Sequence, residues 1–197
     1  IRSAFCMLLG KEDLAAPVLG FLVEDAVLTS LWVGSGLPMK VIESMGLPTP
    51  RHTRKAHTIP LKVRQFDSPP SKQSVEESGE AAFLYIPTAY NYPDVDAVVV
   101  YQTPACAWVV IGVQVTIRTA QQHSDSLNFL EGHWKDFVPP GSVGAAKCGL
   151  IWITPETPLK KTELPQYAKY KHQAHMSLEK FKTWLGPLAM ERCVGTS

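Results

Sequence analysis

Strongly polar residues open one apolar stretch near the middle of the chain and interrupt the next. The first stretch, DVDAVVVY, carries Asp94 and Asp96, and the second, CAWVVIGVQVTIRT, carries Gln114 and Thr116. Side chains two residues apart in an extended strand project from the same face, so each pair is expected to share a face. If the two stretches pair as a hairpin, Asp96 comes close to Gln114 and Thr116. A carboxylate, an amide and a hydroxyl are then expected to meet at one end of the strand pair.

A further carboxylate lies within an apolar segment near the N-terminus. Residues 14–34, LAAPVLGFLVEDAVLTSLWVG, predict a helix that is apolar nearly all round and therefore buried on most sides. Glu24 stands inside this helix, with glycine and apolar residues as its neighbours at helical spacing. A carboxylate in such surroundings is hard to keep ionised unless it has a partner. If the helix packs over the hairpin, Glu24 converges on Asp96.

Glu24, Asp96 and Gln114 offer oxygen atoms of the kind that hard divalent cations prefer. Mg²⁺ typically takes about one or two protein carboxylates and fills its other positions with water and substrate phosphate. A metal ion held in this way orients water and polarises a phosphodiester. We therefore predict a site for Mg²⁺ or Mn²⁺ at these three residues, with phosphodiester hydrolysis as its chemistry.

Each of these residues also has a simpler interpretation. Asp94 or Asp96 could bond the amides of a turn, and Gln114 and Thr116 could face solvent on a half-exposed strand. Glu24 could pair with an arginine. Taken singly, the simpler interpretations are favoured. Taken together, an acid in a buried helix and polar groups at matched ends of a hairpin favour a site.

The elements that would position these residues follow a regular order along the chain. Apolar runs bounded by proline and glycine predict strands, and apolar stripes at helical spacing predict helices. The order indicates an α/β fold with an αβββαβ-like core, a mixed sheet flanked by helices, and an extra C-terminal helix. The predicted helices are 14–34, 38–46, 124–138 and 177–190, and the predicted strands are 59–66, 82–87, 94–101, 106–119 and 145–154.

The length of the chain is that of one domain. Its 197 residues, 45% of them hydrophobic, can bury one sizeable core. We expect a single domain with its core at about 14–155 and a helical extension at about 156–197. The chain begins with Ile1 rather than methionine, so we expect a fragment of a longer protein. No apolar run reaches the ~20 residues of a membrane helix, and there is no glycine-rich phosphate loop, so neither a membrane nor a small-molecule cofactor is expected.

The charges of the chain are nearly balanced. Its 19 basic and 18 acidic residues give a formal net charge of +1. Such a chain lacks the bulk positive field of a typical nucleic-acid binder, so DNA binding would need a local patch. The densest basic cluster includes Arg51, Arg54 and Lys55. It is expected to hold phosphates if it borders the Asp96 site, and otherwise to be a charged linker.

Four short motifs occur in an order that is typical of one family. They are LGFLVEDAVLTSL around Glu24, then YIP, then NYPDVDAVVV around Asp96, then GVQVTI followed by His123. In this order and spacing the chain resembles the restriction-endonuclease-like C-terminal domain of Crinkler effectors and the related retrotransposon hot spot proteins. The resemblance covers roughly residues 15–155, and its weight comes from the order of the motifs, because each motif is short.

The resemblance implies a fold, an activity and a location. Glu24 corresponds to the acid of the first helix, Asp96 to the metal-binding aspartate and Gln114 to the usual glutamate of the active strand. Thr116 stands where the nuclease fold places a lysine, and His123 resembles the histidine after that strand. Such domains are implied to bind DNA and, when active, to cut it with Mg²⁺. They belong to secreted effectors that act inside host cells, typically in the nucleus.

The chain departs from the family pattern where catalysis would need it most. The aspartate…glutamate-x-lysine triad has become Asp96…Gln114-x-Thr116, and a threonine stabilises developing charge poorly. Arg118 on the same strand face, or Lys147 on the next strand, is expected to substitute for the lysine. Two functions remain open: DNA binding with Mg²⁺-dependent hydrolysis, or a degraded nuclease fold that serves as an interaction module for a host protein or DNA. An unrelated small α/β enzyme is the third class.

Overall fold

The computed structural model describes residues 16–34, 36–50, 57–67, 82–88, 92, 94–120, 125–157 and 159–185. The basic cluster of Arg51, Arg54 and Lys55 lies outside these ranges, as does His123. The predictions made for those residues therefore stay predictions.

A six-stranded mixed sheet forms the centre of the described fold, with its strands in chain order from one edge to the other. Its strands are β3 Leu61–Phe66, β4 Ala82–Pro87, β5 Ala97–Gln102, β6 Trp108–Val115, β7 Lys147–Thr154 and β8 Gln173–Ser177, and a separate pair joins β1 Leu37–Pro38 to β2 Thr58–Ile59. The strands β4 to β6 form an antiparallel meander. The flanking strands pair in parallel: β3 with β4, β7 with β6, and β8 with β7.

Helices cover both faces of this sheet. The longest, α1 at Ala16–Thr29, continues into a π-helical turn at Ser30–Gly34. Shorter α-helices are α2 Met39–Ser44, α3 Asn128–Glu131 and α4 Lys182–Leu185. Short stretches of 3₁₀-helix lie at His133–Phe137, Pro140–Ala145, Lys161–Glu163 and Leu178–Phe181.

The two faces of the sheet carry separate apolar clusters because successive strand residues point in opposite directions. Val109, Ile111 and Val113 of β6 pack with α1, α2 and the C-terminal segment. Val110 packs in the opposite cluster, whose other members include Phe129 of α3. With both faces covered, β6 is buried along its whole length, which explains its continuous apolar sequence.

A glycine in β6 allows the elements behind the sheet to approach closely. A Cβ atom at Gly112 would lie 2.8 Å from Phe129 Cδ1 and 2.9 Å from Val95 Cγ1. Val95 immediately precedes Asp96, and Phe129 lies three residues after Ser126. Gly112 thus helps to set the position of both segments that lead to the polar residues at this end of the sheet.

Most of the predicted elements are present. The α/β class with a mixed sheet is confirmed, and so are the first helix, the short helix after it and the strand 82–87. Two predictions were wrong. Residues 124–138 do not form one helix, because the extended backbone at Gly132 separates α3 from a 3₁₀ turn. The C-terminal region after residue 156 is not purely helical, because β8 adds a strand to the sheet. No helix of the described ranges is long and apolar enough to span a membrane.

Candidate functional site

Asp96 and Gln114 meet at one end of the β5–β6 pair, as the sequence predicts. Ala97 of β5 lies opposite Val113 of β6, so the next position on each strand brings Asp96 against Gln114. Asp96 Oδ2 accepts a hydrogen bond of 2.8 Å from Gln114 Nε2 and one of 2.6 Å from the backbone N–H of Val115. The Asp96 carboxylate is therefore held by donors from the last residues of β6.

Ser126 fixes the orientation of the Gln114 amide. Its hydroxyl donates a hydrogen bond of 2.8 Å to Gln114 Oε1, while Gln114 Nε2 also donates to the carbonyl of Val115 at 3.3 Å. The amide oxygen of Gln114 is thus taken by Ser126, and its NH₂ group faces Asp96. This corrects the prediction that Gln114 supplies a metal ligand, because it presents a donor to the site.

Glu24 of α1 faces the same site. Burial, together with the negative charges of Asp96 and Asp25, raises the pKa of Glu24 to about 8. Burial also raises the pKa of Asp96 to about 7, against the hydrogen bonds from Val115 and Gln114, which lower it. The two carboxyl groups thus repel each other in a partly dry environment. Near neutral pH the pair favours the binding of a proton or a cation.

An open cleft of about 1070 Å³ contains these groups. It lies between α1, the ends of β3 and β4, the loop before β5 and the segment of Ser126. Among the described residues that line it, no lysine or arginine occurs. The lining includes five carboxylates, namely Glu24, Asp25, Asp94, Asp96 and Asp125.

Asp94 does not stand on the strand face of Asp96, contrary to the prediction. The strand β5 begins only at Ala97, and Asp94 has a φ of 75°, so the chain is not extended between the two acids. The carboxylate of Asp94 instead accepts a hydrogen bond from Nδ1 of His133. Asp94 therefore lines the cleft from a turn and is tied to the 3₁₀ helix that follows α3.

Thr116 and Arg118 also differ from the predicted arrangement. The strand β6 ends at Val115, and Thr116 Oγ1 accepts a hydrogen bond of 3.0 Å from the backbone N–H of Arg118. Thr116 is buried, and Arg118 is exposed. Neither of them lines the cleft. The structure does not place Arg118 on a strand face with Gln114, so the prediction that Arg118 substitutes for a lysine at this site was wrong in position.

Lys147 lies at the far end of the sheet. It pairs with Val109 in the parallel register of β6 and β7, whereas Gln114 pairs with Trp152. The separation of five strand residues corresponds to ~16 Å along the sheet. Lys147 therefore does not reach Asp96, and the prediction that it stabilises charge there was wrong in position.

A second polar network lies at the same end of the strands, on β7, β8 and the segments that follow β6 and β7. Thr154 Oγ1 lies 2.8 Å from Nε2 of His175 and donates to Glu156 Oε2 at 3.1 Å. His175 Nδ1 accepts from the backbone N–H of Leu159 at 3.1 Å, so the neutral ring carries its proton on Nε2. Glu156 Oε2 also accepts from the N–H of Ala120. The network links the segments after β6 and β7 to His175 of β8, and sequence patterns gave no signal for it because its members lie in separate segments.

The carboxylates of Glu24 and Asp96 fit a cation that needs few protein ligands. Within the described ranges no group of three or more His, Cys, Asp or Glu side chains is arranged to hold a metal ion. A site of the Mg²⁺ type needs only about one or two carboxylates. Both hydrogen bonds to Asp96 use Oδ2, so Oδ1 is the oxygen that a cation would contact.

Comparison with known proteins gives no further assignment, because the chain matches no family model, no curated protein and no solved structure.

Proposed function

We propose that the cleft binds Mg²⁺ or Mn²⁺ through Glu24 and Asp96 and supports the hydrolysis of a phosphodiester. The observation that carries this proposal is the convergence of two carboxyl groups with raised pKa values in an open cleft. A buried pair of this kind needs a positive partner to stay ionised near neutral pH. When bound, the metal ion supplies polarisation of the phosphodiester and activation of water.

The residues around the two carboxylates have positioning roles in this proposal. Gln114 and the N–H of Val115 hold Asp96 Oδ2, and Ser126 holds Gln114. No cationic side chain lines the cleft in the described part of the chain, so the protein itself offers little to stabilise charge that develops on phosphate. We therefore expect slow turnover.

The order of elements supports DNA as the substrate class, through the resemblance to restriction-endonuclease-like domains of Crinkler effectors. When β1, α2, β2 and β3 are left out, the elements α1, β4, β5, β6, α3 and β7 occur in the order αβββαβ. Asp96 stands just before the second strand of this series, and Gln114 near the end of the third. This order supports the proposal, because the resemblance implies the same order. Action of a secreted effector in the host nucleus is part of the same proposal and rests on the resemblance alone.

Cleavage of plasmid DNA with Mg²⁺ or Mn²⁺ tests the proposal. Wild type is expected to nick the plasmid, EDTA is expected to stop it, and Asp96→Asn and Glu24→Gln are each expected to lose activity by roughly 100-fold or more. These substitutions keep the side-chain shape and remove one charge. Glu43→Gln, an exposed acid on α2 outside the cleft, is the matched control and is expected to cleave like wild type. Cleavage that persists in Asp96→Asn would show that the activity lies elsewhere.

A non-catalytic interaction module is the second candidate. It is favoured by the hydrogen bond from Gln114 Nε2 to Asp96 Oδ2. Gln114 stands where the pattern of the resembled family places a second carboxylate, and here it presents an amide donor instead. On this view Asp96→Asn leaves partner binding unchanged. Absence of cleavage by folded wild type, with partner binding retained in Asp96→Asn, would select this candidate.

A further inference from the structure

The large apolar side chains that the described residues leave exposed all lie on α1 and the π-helical turn after it. Val18 is 44% exposed, Phe21 46%, Trp32 51% and Val33 60%. Single exposed apolar residues are normal, but a group of them on one element indicates an interaction surface. Val18, Phe21 and Trp32 also line the cleft, and we call these three residues the α1 rim.

The α1 rim brackets the acidic part of the cleft. The lining residues of this element recur at helical spacing and so follow one face of it. At ~1.5 Å per residue, Val18 and Trp32 are separated by ~21 Å along the helix. Glu24 and Asp25 lie between them. Along about four helical turns, this face therefore carries apolar side chains at both ends and acidic side chains between them.

The charge of the cleft decides which ligand it complements. All five charged residues in the described lining of the cleft are carboxylates, and Asp25 and Asp125 are exposed. The basic side chains of β3 do not alter this. Arg64 lies over the ring of Phe83 at 4.3 Å, and Phe83 belongs to the cluster on the other face of the sheet. In the absence of a bound metal ion, the carboxylates of the described lining would repel a polyanion, whereas lysine and arginine side chains of a ligand would be attracted.

We infer that the α1 rim and the acidic cleft bind a basic amphipathic segment of a partner protein. Lysine or arginine side chains of the segment contact Asp25 and Asp125, and its apolar side chains cover Phe21 and Trp32. The ring of Trp32 also offers a face for a cation. This inference rests on the lining of the cleft and does not depend on metal chemistry at Glu24 and Asp96.

Three synthetic peptides of about 15 residues, long enough to match the face as a helix, test the inference. The first alternates leucine and arginine groups as an amphipathic helix, the second replaces arginine with glutamate, and the third replaces leucine with serine. Calorimetric titration of the full chain is expected to detect binding of the first peptide only, weakened by salt. Trp32→Ala is expected to weaken it roughly tenfold, and Asp25→Asn roughly threefold.

Matched controls separate the cleft from the rest of the surface. Val33→Ala removes an exposed apolar side chain that does not line the cleft, and Glu43→Gln removes an exposed charge outside it. Both are expected to bind the first peptide like wild type. Equal binding of the acidic peptide, or unchanged binding by Trp32→Ala, would overturn the inference.

Two further measurements, of sedimentation and of DNA binding, test whether the cleft has a different occupant. Sedimentation that shows a dimer of wild type and a monomer of Trp32→Ala would assign the surface to a second copy of this chain and overturn the inference. Tighter binding of a short DNA oligonucleotide than of the basic peptide, lost in Trp32→Ala, would also overturn it. Peptide binding by a chain that neither binds Mn²⁺ nor cleaves DNA would uphold the inference while the metal proposal fails.

Discussion

Glu24 and Asp96 come from distant parts of the chain and are set against each other by their surroundings. Asp96 accepts hydrogen bonds from Gln114 and Val115, whereas Glu24 stands on α1, and both side chains are half-buried. Burial is the largest cause of the raised pKa in both. Because raising a pKa in the folded state means binding the proton more tightly there, ionisation of these groups costs stability.

Removal of the Glu24 charge is expected to stabilise the metal-free protein at alkaline pH. The stability that protonated Glu24 contributes is full below its ordinary pKa of 4.5 and is lost as pH rises towards about 8. Relative to wild type, Glu24→Gln should therefore gain about 1–2 kcal/mol in unfolding free energy between pH 5 and pH 8, after allowance for its exposed part. Urea unfolding with a chelator present measures this difference. The control Glu43→Gln should follow wild type at both pH values, and a difference for Glu24→Gln that does not change with pH would contradict the account.

At the scale of elements, the meander of β4, β5 and β6 and the approach of α3 behind it position the site. The close contact at Gly112 is the clearest constraint, because a Cβ there would meet Phe129 and Val95 below 3.0 Å. Val95 leads directly into Asp96, and the segment of Phe129 carries Ser126. Packing inside the sheet is thus linked to the geometry of the polar residues at its end.

Gly112→Ala is expected to disturb both stability and the site. The added methyl group must displace Phe129 or Val95, at a cost of about 1–3 kcal/mol. Thermal unfolding gives the loss of stability, and crystallography of the variant gives the shift of Asp96. Gly144→Ala is the control, since a Cβ at that position meets nothing within 4 Å. Equal stability of the two variants would contradict the role of this contact.

The elements that sequence patterns missed are those in which polar groups are satisfied inside the fold. The segment of β8 reads as polar, yet buried Gln173 accepts from Trp152 Nε1 at 2.8 Å and donates to the carbonyls of Pro165 and Tyr170. Tertiary hydrogen bonds of this kind have no periodic signature along the chain. By contrast, α1 and β4 have continuous apolar patterns and were predicted within a few residues.

At the scale of the whole molecule, hairpin pairing was enough to predict that Asp96 approaches Gln114. The partners that come from distant segments of the chain could not be predicted in this way. Ser126 lies in a segment predicted as a single helix, and in the fold it stands just before α3, where its hydroxyl donates to Gln114. The placement of Lys147 at the opposite end of the sheet needed the parallel register of β6 and β7, which the sequence does not specify. The described lining of the cleft contains five carboxylates and neither lysine nor arginine.

Binding of Mn²⁺, followed by electron paramagnetic resonance, tests the central claim most directly. The account predicts that wild type binds Mn²⁺ near neutral pH and that Mg²⁺ competes for the site. Asp96→Asn and Glu24→Gln should each weaken binding roughly tenfold or more, because each removes one of two anionic ligands, while Glu43→Gln should bind like wild type. Equal affinity in all four proteins, or no binding by folded wild type, would contradict the assignment of Glu24 and Asp96 as a cation site.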